Sequence, residues 1–289
     1  MGKSFKTAAA FRTSLEERLK QMAANSSAPI NSLRLKVVIE RLLARLFAAS
    51  DPPWLLKGGY AMELRYRPRA RTTKDIDLSV KSVAAELVDR IREVRDEMQA
   101  AADQDLGDFF LFRFGEARSE LQGAPGGGAR FPVTALVAGK TFAKFHVDVG
   151  FGDPLLLAPE VLVGQDFLEF AGLAPAKVLA IPKAQQYAEK LHAYTFAWVD
   201  RANTRTKDLV DLVLFVTVGP PGREEIQAAV EATFRARSTH PVPDTLPPPP
   251  AEWQDTFAEM AREANLPNTE LAEGYRMVEA HWQSVIKNP

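Results

Sequence analysis

The chain has 289 residues, of which 46% are hydrophobic, enough to fill the core of one large domain or two ordinary ones. Its 36 basic and 37 acidic residues nearly balance, so a polyanionic partner must be bound by a local basic patch and not by the net charge. The sequence contains no cysteine, which excludes disulfides, thiolate metal sites and cysteine nucleophiles.

The first 50 residues are predicted to form a helical cap. Apolar residues recur at helical spacing over 11–24 and 30–48, and Asp51-Pro52-Pro53 ends the second helix. The apolar runs are shorter than the roughly 20 residues of a membrane-spanning helix, and the N-terminus lacks the apolar core of a signal peptide. We therefore expect a cytoplasmic protein with no membrane partner.

Residues 51–175 are predicted to form a core of mixed helix and strand around one sheet. Two glycines join the first strand to a helix over 60–67, and an amphipathic helix is expected at 82–102. This order of elements predicts an α+β (mixed α/β) fold with a mixed sheet. Strands are predicted over 54–59, 74–80, 109–114, 131–139 and 141–150.

Residues 176–289 are predicted to form a helical domain. A proline-rich connector over 238–252 is incompatible with the interior of a helix or a sheet. No long strand is expected beyond residue 157. Helices are predicted over 183–200, 205–218 and 223–236, followed by two more that are marked by Trp253, Phe257, Met260 and by Tyr275, Val278, Trp282, Val285.

Aspartates lie in two of the predicted strands. Asp75 and Asp77 share a face of the strand "KDIDLSV", and two carboxylates this close need cations to offset their repulsion, for which Mg²⁺ is the natural ion. In "FHVDVGFGD", Asp148 and His146 share a face. If the two strands pair, Asp148 completes a three-carboxylate cluster suited to two-metal phosphoryl transfer. The alternative is that both strands are half exposed and their acids face water.

Between the first strand and the first helix of the core, Gly58-Gly59 can bring backbone N–H groups close to an anion, or can form only a tight turn. Lys57 adds a positive charge beside this turn or reaches to solvent. Five basic residues follow within ten positions, and they could bind the phosphates of a nucleotide or RNA or form a solvated loop. These residues are Arg65, Arg67, Arg69, Arg71 and Lys74.

Two predicted helices of the C-terminal half combine charged and apolar residues. On the first, two lysines and two tyrosines share one border, where the lysines could neutralise a triphosphate and the tyrosines could stack on a base; alternatively, the tyrosines belong to the core. On the second, Asp208 and Asp211 share a face, and Asp211 requires a partner, either Lys190 or an arginine. The four residues of the first helix are Lys183, Tyr187, Lys190 and Tyr194.

Five segments resemble, in order and approximate spacing, the AbiEii family of nucleotidyltransferase-like toxins, which includes the MenT toxins. They are "KGGYAMELRY", "RTTKDIDLSV", "FHVDVGFGD", "PKAQQYAEKLHA" and "RTKDLVDL". The proline-rich connector and the tryptophan-bearing tail are also similar, so the resemblance covers nearly the whole chain. It implies a DNA polymerase β-like nucleotidyltransferase core followed by an α-helical C-terminal domain, and a toxin of a type IV toxin–antitoxin or abortive-infection system.

The resemblance also implies roles for individual residues. The matching positions are Gly58 and Gly59 in the glycine motif that cradles the triphosphate, Asp75 and Asp77 in the metal-binding pair, Asp148 as the third carboxylate, Lys190 in the lysine motif and Asp208 in the "KDxxD" motif. Polymerase β-like enzymes usually have Gly-Ser at the turn, and the Gly-Gly of this chain removes one phosphate contact. We further expect nucleotide binding by Lys57, Arg71, Lys74, Tyr187, Lys190 and Asp211.

The activity that the resemblance implies is transfer of a nucleotide to RNA. The best understood members of the family transfer pyrimidines from CTP or UTP to the 3′ end of tRNA, which blocks aminoacylation. We therefore predict transfer of an NMP from an NTP to tRNA or another RNA acceptor, with Mg²⁺ or alternatively Mn²⁺ as cofactor. The expected protein partner is a cognate AbiEi-type antitoxin. Two alternatives are a catalytically silent nucleotide- or antitoxin-binding protein and a transferase that modifies a protein.

Overall fold

The structure is a computed structural model, which describes residues 5–26, 28–71, 73–80, 87–118, 124–197 and 203–287. The beginning of the helix predicted at 82–102 lies outside the described residues, as do residues 198–200 of the helix predicted at 183–200; that helix ends at Thr195, so the prediction was too long at 196 and 197. The chain forms two compact units. The first comprises Met1–Leu56, Lys74–Phe151 and Val161–Ala180, and the second comprises Lys57–Thr73, Gly152–Glu160 and Ile181–Pro289.

The elements of secondary structure follow the predicted order closely. The helices are α1 (Ala8–Asn25), α2 (Ile30–Leu46), α3 (Gly58–Tyr66), α4 (Leu87–Ala102), α5 (Lys183–Thr195), α6 (Thr206–Val218), α7 (Arg223–Arg237), α8 (Gln254–Glu263) and α9 (Leu271–Ile286). The strands are β1 (Trp54–Lys57), β2 (Ile76–Val80), β3 (Phe110–Phe114), β4 (Gly128–Val137), β5 (Lys140–Gly150), β6 (Glu160–Val163) and β7 (Lys177–Ala180). None of the helices in the described ranges is both long and apolar enough to cross a bilayer.

The strands form one mixed sheet in the order β3-β4-β5-β2-β1-β7-β6. Strands β3, β4 and β5 are antiparallel neighbours, whereas β2 runs parallel to β5 and β1 runs parallel to β7. The α+β fold with a mixed sheet is confirmed. Strands β6 and β7, of four residues each, were not predicted from the sequence.

Inside the first unit, a buried ion triad joins α2 to the chain that leads into β3. The carboxylate of Asp108 is fully buried, and it accepts hydrogen bonds from Arg45 Nη2 and Arg41 Nε at 2.6 Å each. Burial alone would raise the pKa of Asp108, but the two guanidinium groups lower it below its ordinary value. The sequence analysis did not predict this triad, although Arg41 and Arg45 are four residues apart within an apolar helix.

The second unit is built on an apolar core shared by its helices. Helix α5 packs on α6 and α7, and α6 packs on α9. Helix α3 belongs to this core through Met62 and Tyr66, whose ring meets Phe215 edge to face at 5.5 Å. The segments 57–73 and 152–160 therefore belong with the C-terminal helices, whereas the predicted cap, core and helical domain are consecutive segments. That three-part division stays a prediction.

The backbone carbonyl groups of the proline-rich connector accept hydrogen bonds from aromatic side chains of the helices. Tyr194 Oη donates to the carbonyl of Pro247 at 2.6 Å, and Trp282 Nε1 donates to the carbonyl of Pro243 at 2.9 Å. Tyr275 Oη donates to the carbonyl of Leu246 at 2.8 Å. Prolines cannot donate backbone hydrogen bonds, but their carbonyls still accept them. Aromatic residues of α5 and α9 thus bind the connector through its backbone carbonyls.

Candidate active site

Aspartates of the first unit lie on one face of the sheet. Asp77 of β2 is directly opposite Asp148 of β5, because these parallel strands pair in that register. Asp75 precedes Asp77 by two residues, and its Oδ1 lies 4.0 Å from Nδ1 of His146, which precedes Asp148 by two residues. The two strands thus pair, which is the condition for the predicted carboxylate cluster, and side-chain alternation places all four groups on the same face.

A cation that the sequence analysis did not identify occupies this face beside Asp148. Arg130 of β4 is directly opposite Asp148 of β5, and its Nε and Nη2 donate to the two carboxylate oxygens at 2.8 and 2.6 Å. The hydrogen bond with Asp148 raises the pKa of Arg130 above its ordinary value, and the charges of Asp75 and Asp77 act in the same direction. The row across three neighbouring strands is therefore Arg130, Asp148 and Asp77.

The residue types of this face fit a divalent cation, because carboxylate oxygens are the ligands that Mg²⁺ prefers. Asp77 and Asp148 by register, and Asp75 by its face, are the residues that would hold the ion. In the described ranges, however, no group of three or more His, Cys, Asp or Glu side chains is arranged to bind a metal. One of the donors, Asp148, is bound by Arg130 instead. The assignment of the three aspartates as metal ligands stays a prediction.

In the second unit, Lys190 of α5 joins two acids of α6 in a buried cluster. Its Nζ lies 2.9 Å from Asp208 Oδ1 and 2.8 Å from Asp211 Oδ2. Arg71 also contacts Asp211, with Nε and Nη2 at 3.1 and 3.0 Å from its two oxygens. Both partners considered for Asp211, Lys190 and an arginine, are therefore present.

In the buried cluster, the positive side chains of Lys190 and Arg71 lie against the acidic side chains of α6. Burial by itself would lower the pKa of Lys190, but Asp208 and Asp211 outweigh burial and raise this pKa above its ordinary value. The pKa of Asp211 is shifted down, because Lys190 and Arg71 outweigh the opposite effect of burial. Lys190 and Asp211 are therefore charged at neutral pH, and the roles of the cluster in nucleotide binding or catalysis stay predictions.

Tyr187, a predicted nucleotide-binding residue, belongs to the core of the second unit. Its side chain is fully buried, and its ring meets Phe215 and His281 edge to face at 5.8 and 5.7 Å. Burial raises the pKa of its phenol above the ordinary value. This placement supports the packing interpretation over stacking on a base.

The glycine turn at the start of α3 needs both of its glycines. Gly58 has a φ of 64°, in the left-handed region that favours glycine. A Cβ atom at Gly59 would lie 2.9 Å from Oγ1 of Thr73 and 3.2 Å from Nη2 of Arg71. The serine that polymerase β-like enzymes have at this turn would therefore collide with Thr73, whose hydroxyl lies beside the turn in its place.

Lys57, also predicted to bind nucleotide, lies in a second buried ion cluster. Its ammonium contacts the carboxylate of Asp153 and lies 3.8 Å from Glu189. Arg237 approaches the same two acids at 3.0 and 3.6 Å. Burial would lower the pKa of Lys57, but the charges of Asp153 and Glu189 raise it above its ordinary value. Lys57 thus contacts carboxylates of its own chain and does not extend to solvent.

The basic loop divides into buried and exposed residues. Arg65 contacts Glu160 at 3.2 Å and also donates to Gln186 and to the carbonyl of Ile181. Arg71 contacts Asp211, as described above. Lys74, in contrast, is exposed in the first unit and is therefore accessible to a ligand.

Comparison with known families gives one match over most of the chain. Residues 41–287 match the model of the family described as "Nucleotidyl transferase AbiEii toxin, Type IV TA system". The chain belongs to the AbiEii family. It is therefore a nucleotidyltransferase toxin of a type IV toxin–antitoxin system, and its family implies an NTP substrate, a divalent metal and an antitoxin partner.

A solved structure has the same fold. MenT4, a nucleotidyltransferase toxin from Mycobacterium tuberculosis H37Rv, is 17% identical and aligns with a TM-score of 0.62. The alignment covers 95% of this chain and 90% of MenT4. Comparison with curated proteins gives no match. At this identity the likeness shows a shared fold and assigns no role to an individual residue.

Proposed function

We propose that this toxin transfers an NMP, preferably a pyrimidine nucleotide from CTP or UTP, to the 3′ end of tRNA and so blocks translation in the cytoplasm. The observation that carries the proposal is the strand register that places Asp77 beside Asp148, with Asp75 on the same face. Adjacent carboxylates of this kind are the ligands that phosphoryl transfer with divalent metals requires. The choice of tRNA and of a pyrimidine rests on the family resemblance.

The aspartates of the sheet and the glycine turn would have different roles in the reaction. Asp75, Asp77 and Asp148 would hold Mg²⁺, or alternatively Mn²⁺, which would lower the pKa of the attacking hydroxyl and bind triphosphate oxygens. Alternatively, Asp148 would be the base that activates the 3′ hydroxyl. The N–H groups at Gly58 and Gly59, at the start of α3, would donate to phosphate oxygens.

The charged residues of the second unit would also bind phosphate. Lys190 and Arg71 carry positive charge, and Asp208 and Asp211 fix their positions through the contacts described above. The exposed Lys74 would bind a phosphate of the nucleotide or of the RNA. A cognate AbiEi-type antitoxin would neutralise the toxin in the cell.

The test is transfer of labelled nucleotide by purified protein. Wild type should label the 3′ end of total tRNA in the presence of Mg²⁺, more strongly from CTP or UTP than from ATP or GTP. Asp77→Ala should lower the rate by at least about 100-fold, because a lost metal ligand removes several kcal/mol of transition-state stabilisation. Asp166→Ala, at an exposed aspartate in the loop after β6, should leave the rate unchanged.

The acceptor that becomes labelled separates the proposal from its alternatives. Label on a protein instead of RNA would identify a protein-modifying transferase. Nucleotide binding by calorimetry without label on any acceptor would identify a silent binding protein. Growth arrest on induced expression, followed by sequencing of tRNA 3′ ends, should show added pyrimidines in cells that make wild type and none in cells that make Asp77→Ala.

A further inference from the structure

Arg130 binds the carboxylate that the proposed function assigns to a metal ion. The two residues are direct neighbours across β4 and β5, and the guanidinium donates to both oxygens of Asp148. Such a bidentate arrangement is the strongest form of a single ion pair between side chains. It uses the same carboxylate that lies beside Asp77.

A guanidinium and a divalent cation compete for one carboxylate. Each oxygen of Asp148 has a second lone-pair direction, but a cation that used it would stand close to the positive charge of Arg130. The contact of Arg130 with Asp148 therefore weakens binding of the cation, and the bound cation weakens the contact of Arg130 by the same factor.

The exposure of the two side chains shows which one can move. The side chain of Asp148 is 11% exposed and lies on the central strand of the row, whereas that of Arg130 is 39% exposed. A guanidinium so close to solvent is hydrated when it leaves the ion pair, so its release costs less than the release of an enclosed arginine would. Asp148 cannot withdraw in the same way.

We propose that Arg130 is a positioning residue that holds Asp148 in the metal-free enzyme and must release this carboxylate before a divalent cation binds it. This inference rests on the proposed function for the identity of the metal ligands. Its consequence is that metal affinity is set by Arg130 as well as by the three aspartates.

The experiment is a titration of the full-length protein with Mn²⁺ in the absence of nucleotide and RNA, followed by electron paramagnetic resonance of free Mn²⁺. Arg130→Gln should bind Mn²⁺ about tenfold more tightly than wild type, because the competing charge is removed. The matched control is Arg113→Gln, at an exposed arginine of β3 opposite Thr134 on the same face of the sheet. This control changes the net charge equally and should alter Mn²⁺ affinity less than about twofold.

A double-mutant cycle tests whether the effect acts through Asp148. Asp148→Asn should weaken Mn²⁺ binding, and Arg130→Gln in that background should restore little or none of the affinity. If Arg130→Gln tightens binding equally in both backgrounds, or binds no more tightly than Arg113→Gln does, the proposal is wrong. Undetectable Mn²⁺ binding by wild type and all variants would also overturn it.

A second variant covers the case in which Arg130→Gln does not fold. Arg130→Lys keeps the charge but loses the bidentate geometry, so it should bind Mn²⁺ about threefold more tightly than wild type. Affinity equal to or weaker than that of wild type would contradict the proposal. Because this titration requires no transfer reaction, tighter Mn²⁺ binding without any labelled acceptor would refute the proposed function and leave the role of Arg130 supported.

Discussion

The carboxylates of the sheet and those of the C-terminal helices belong to the same residue type but differ in burial and in partners. In the first unit, Asp148 forms an ion pair with Arg130, whose side chain is 39% exposed, and the side chain of Asp75 is 43% exposed. In the second unit, Asp208 and Asp211 are at most 3% exposed and contact a lysine that is 10% exposed. Asp75 and the arginine on Asp148 therefore reach solvent, whereas the helical acids are enclosed with their counter-ions.

This difference assigns the two groups different energetic roles. Breaking a buried ion pair leaves a charge without its partner in a medium of low polarity, which is strongly destabilising. An exposed ion pair contributes little, because water solvates either charge after separation. We therefore expect substitutions in the helical cluster to affect folding as well as function, and substitution of the exposed Asp75 to affect function alone.

Lys190→Met should give the largest loss of stability, about 3–5 kcal/mol, because it leaves Asp208 and Asp211 buried without the ammonium that lies within 2.9 Å of both. The free energy of unfolding in urea at pH 7 measures this loss. The matched control is Lys207→Met, at an exposed lysine of α6, which should change stability by less than about 0.5 kcal/mol. A loss below about 1 kcal/mol for Lys190→Met would show that the buried cluster is not structural.

The acids of the sheet and the contact between Asp211 and Lys190 can be predicted from the sequence. The acids of β2 and β5 are visible because strict alternation with apolar residues defines the strand faces, and a parallel pairing then brings Asp77 to Asp148. The contact between Asp211 and Lys190 is visible because an acid in so apolar a helix requires a cation. In each case a local pattern combines with a physical requirement for a partner.

Arg130 and the cluster around Lys57 could not be found in this way. The contact of Arg130 depends on the antiparallel register of β4 and β5, which alternation alone does not fix, because shifting the register by two residues leaves the faces unchanged. Lys57 meets Asp153, which lies 96 residues further along the chain, and no periodic pattern links the two. Burial of Tyr187 likewise depends on Phe215 and His281, which belong to other helices.

The next largest effect is expected at low pH, where the buried acids should lose their contribution to the free energy of unfolding. The pKa values of Asp108, Asp153 and Asp211 are lowered from their ordinary value of 3.8, because neighbouring cations outweigh burial. Their stabilisation is present above pH 3.8 and is lost as the pH falls through their lower native pKa values, because the unfolded chain then binds more protons. Burial raises the pKa of Glu189 instead, so its contribution is lost in the opposite direction, as the pH rises through that native pKa.

The measurement is the free energy of unfolding in urea at several pH values below 5. Asp153→Asn removes one of the three acids with a lowered pKa, so its stability should fall less steeply than that of wild type below pH 3.8. Equal slopes for the two proteins would show that Asp153 does not contribute to acid unfolding.

The smallest effect on stability is expected for Asp75→Asn, within about 0.5 kcal/mol of wild type. Its side chain is 43% exposed, and the 4.0 Å distance to His146 is long for an ion pair, so little interaction energy is lost. If Asp75 is a metal ligand, the same variant should lose nucleotide transfer while its melting temperature is unchanged. Loss of more than about 1.5 kcal/mol would instead show that the sheet acids also stabilise the fold, and the contrast with the helical acids would fail.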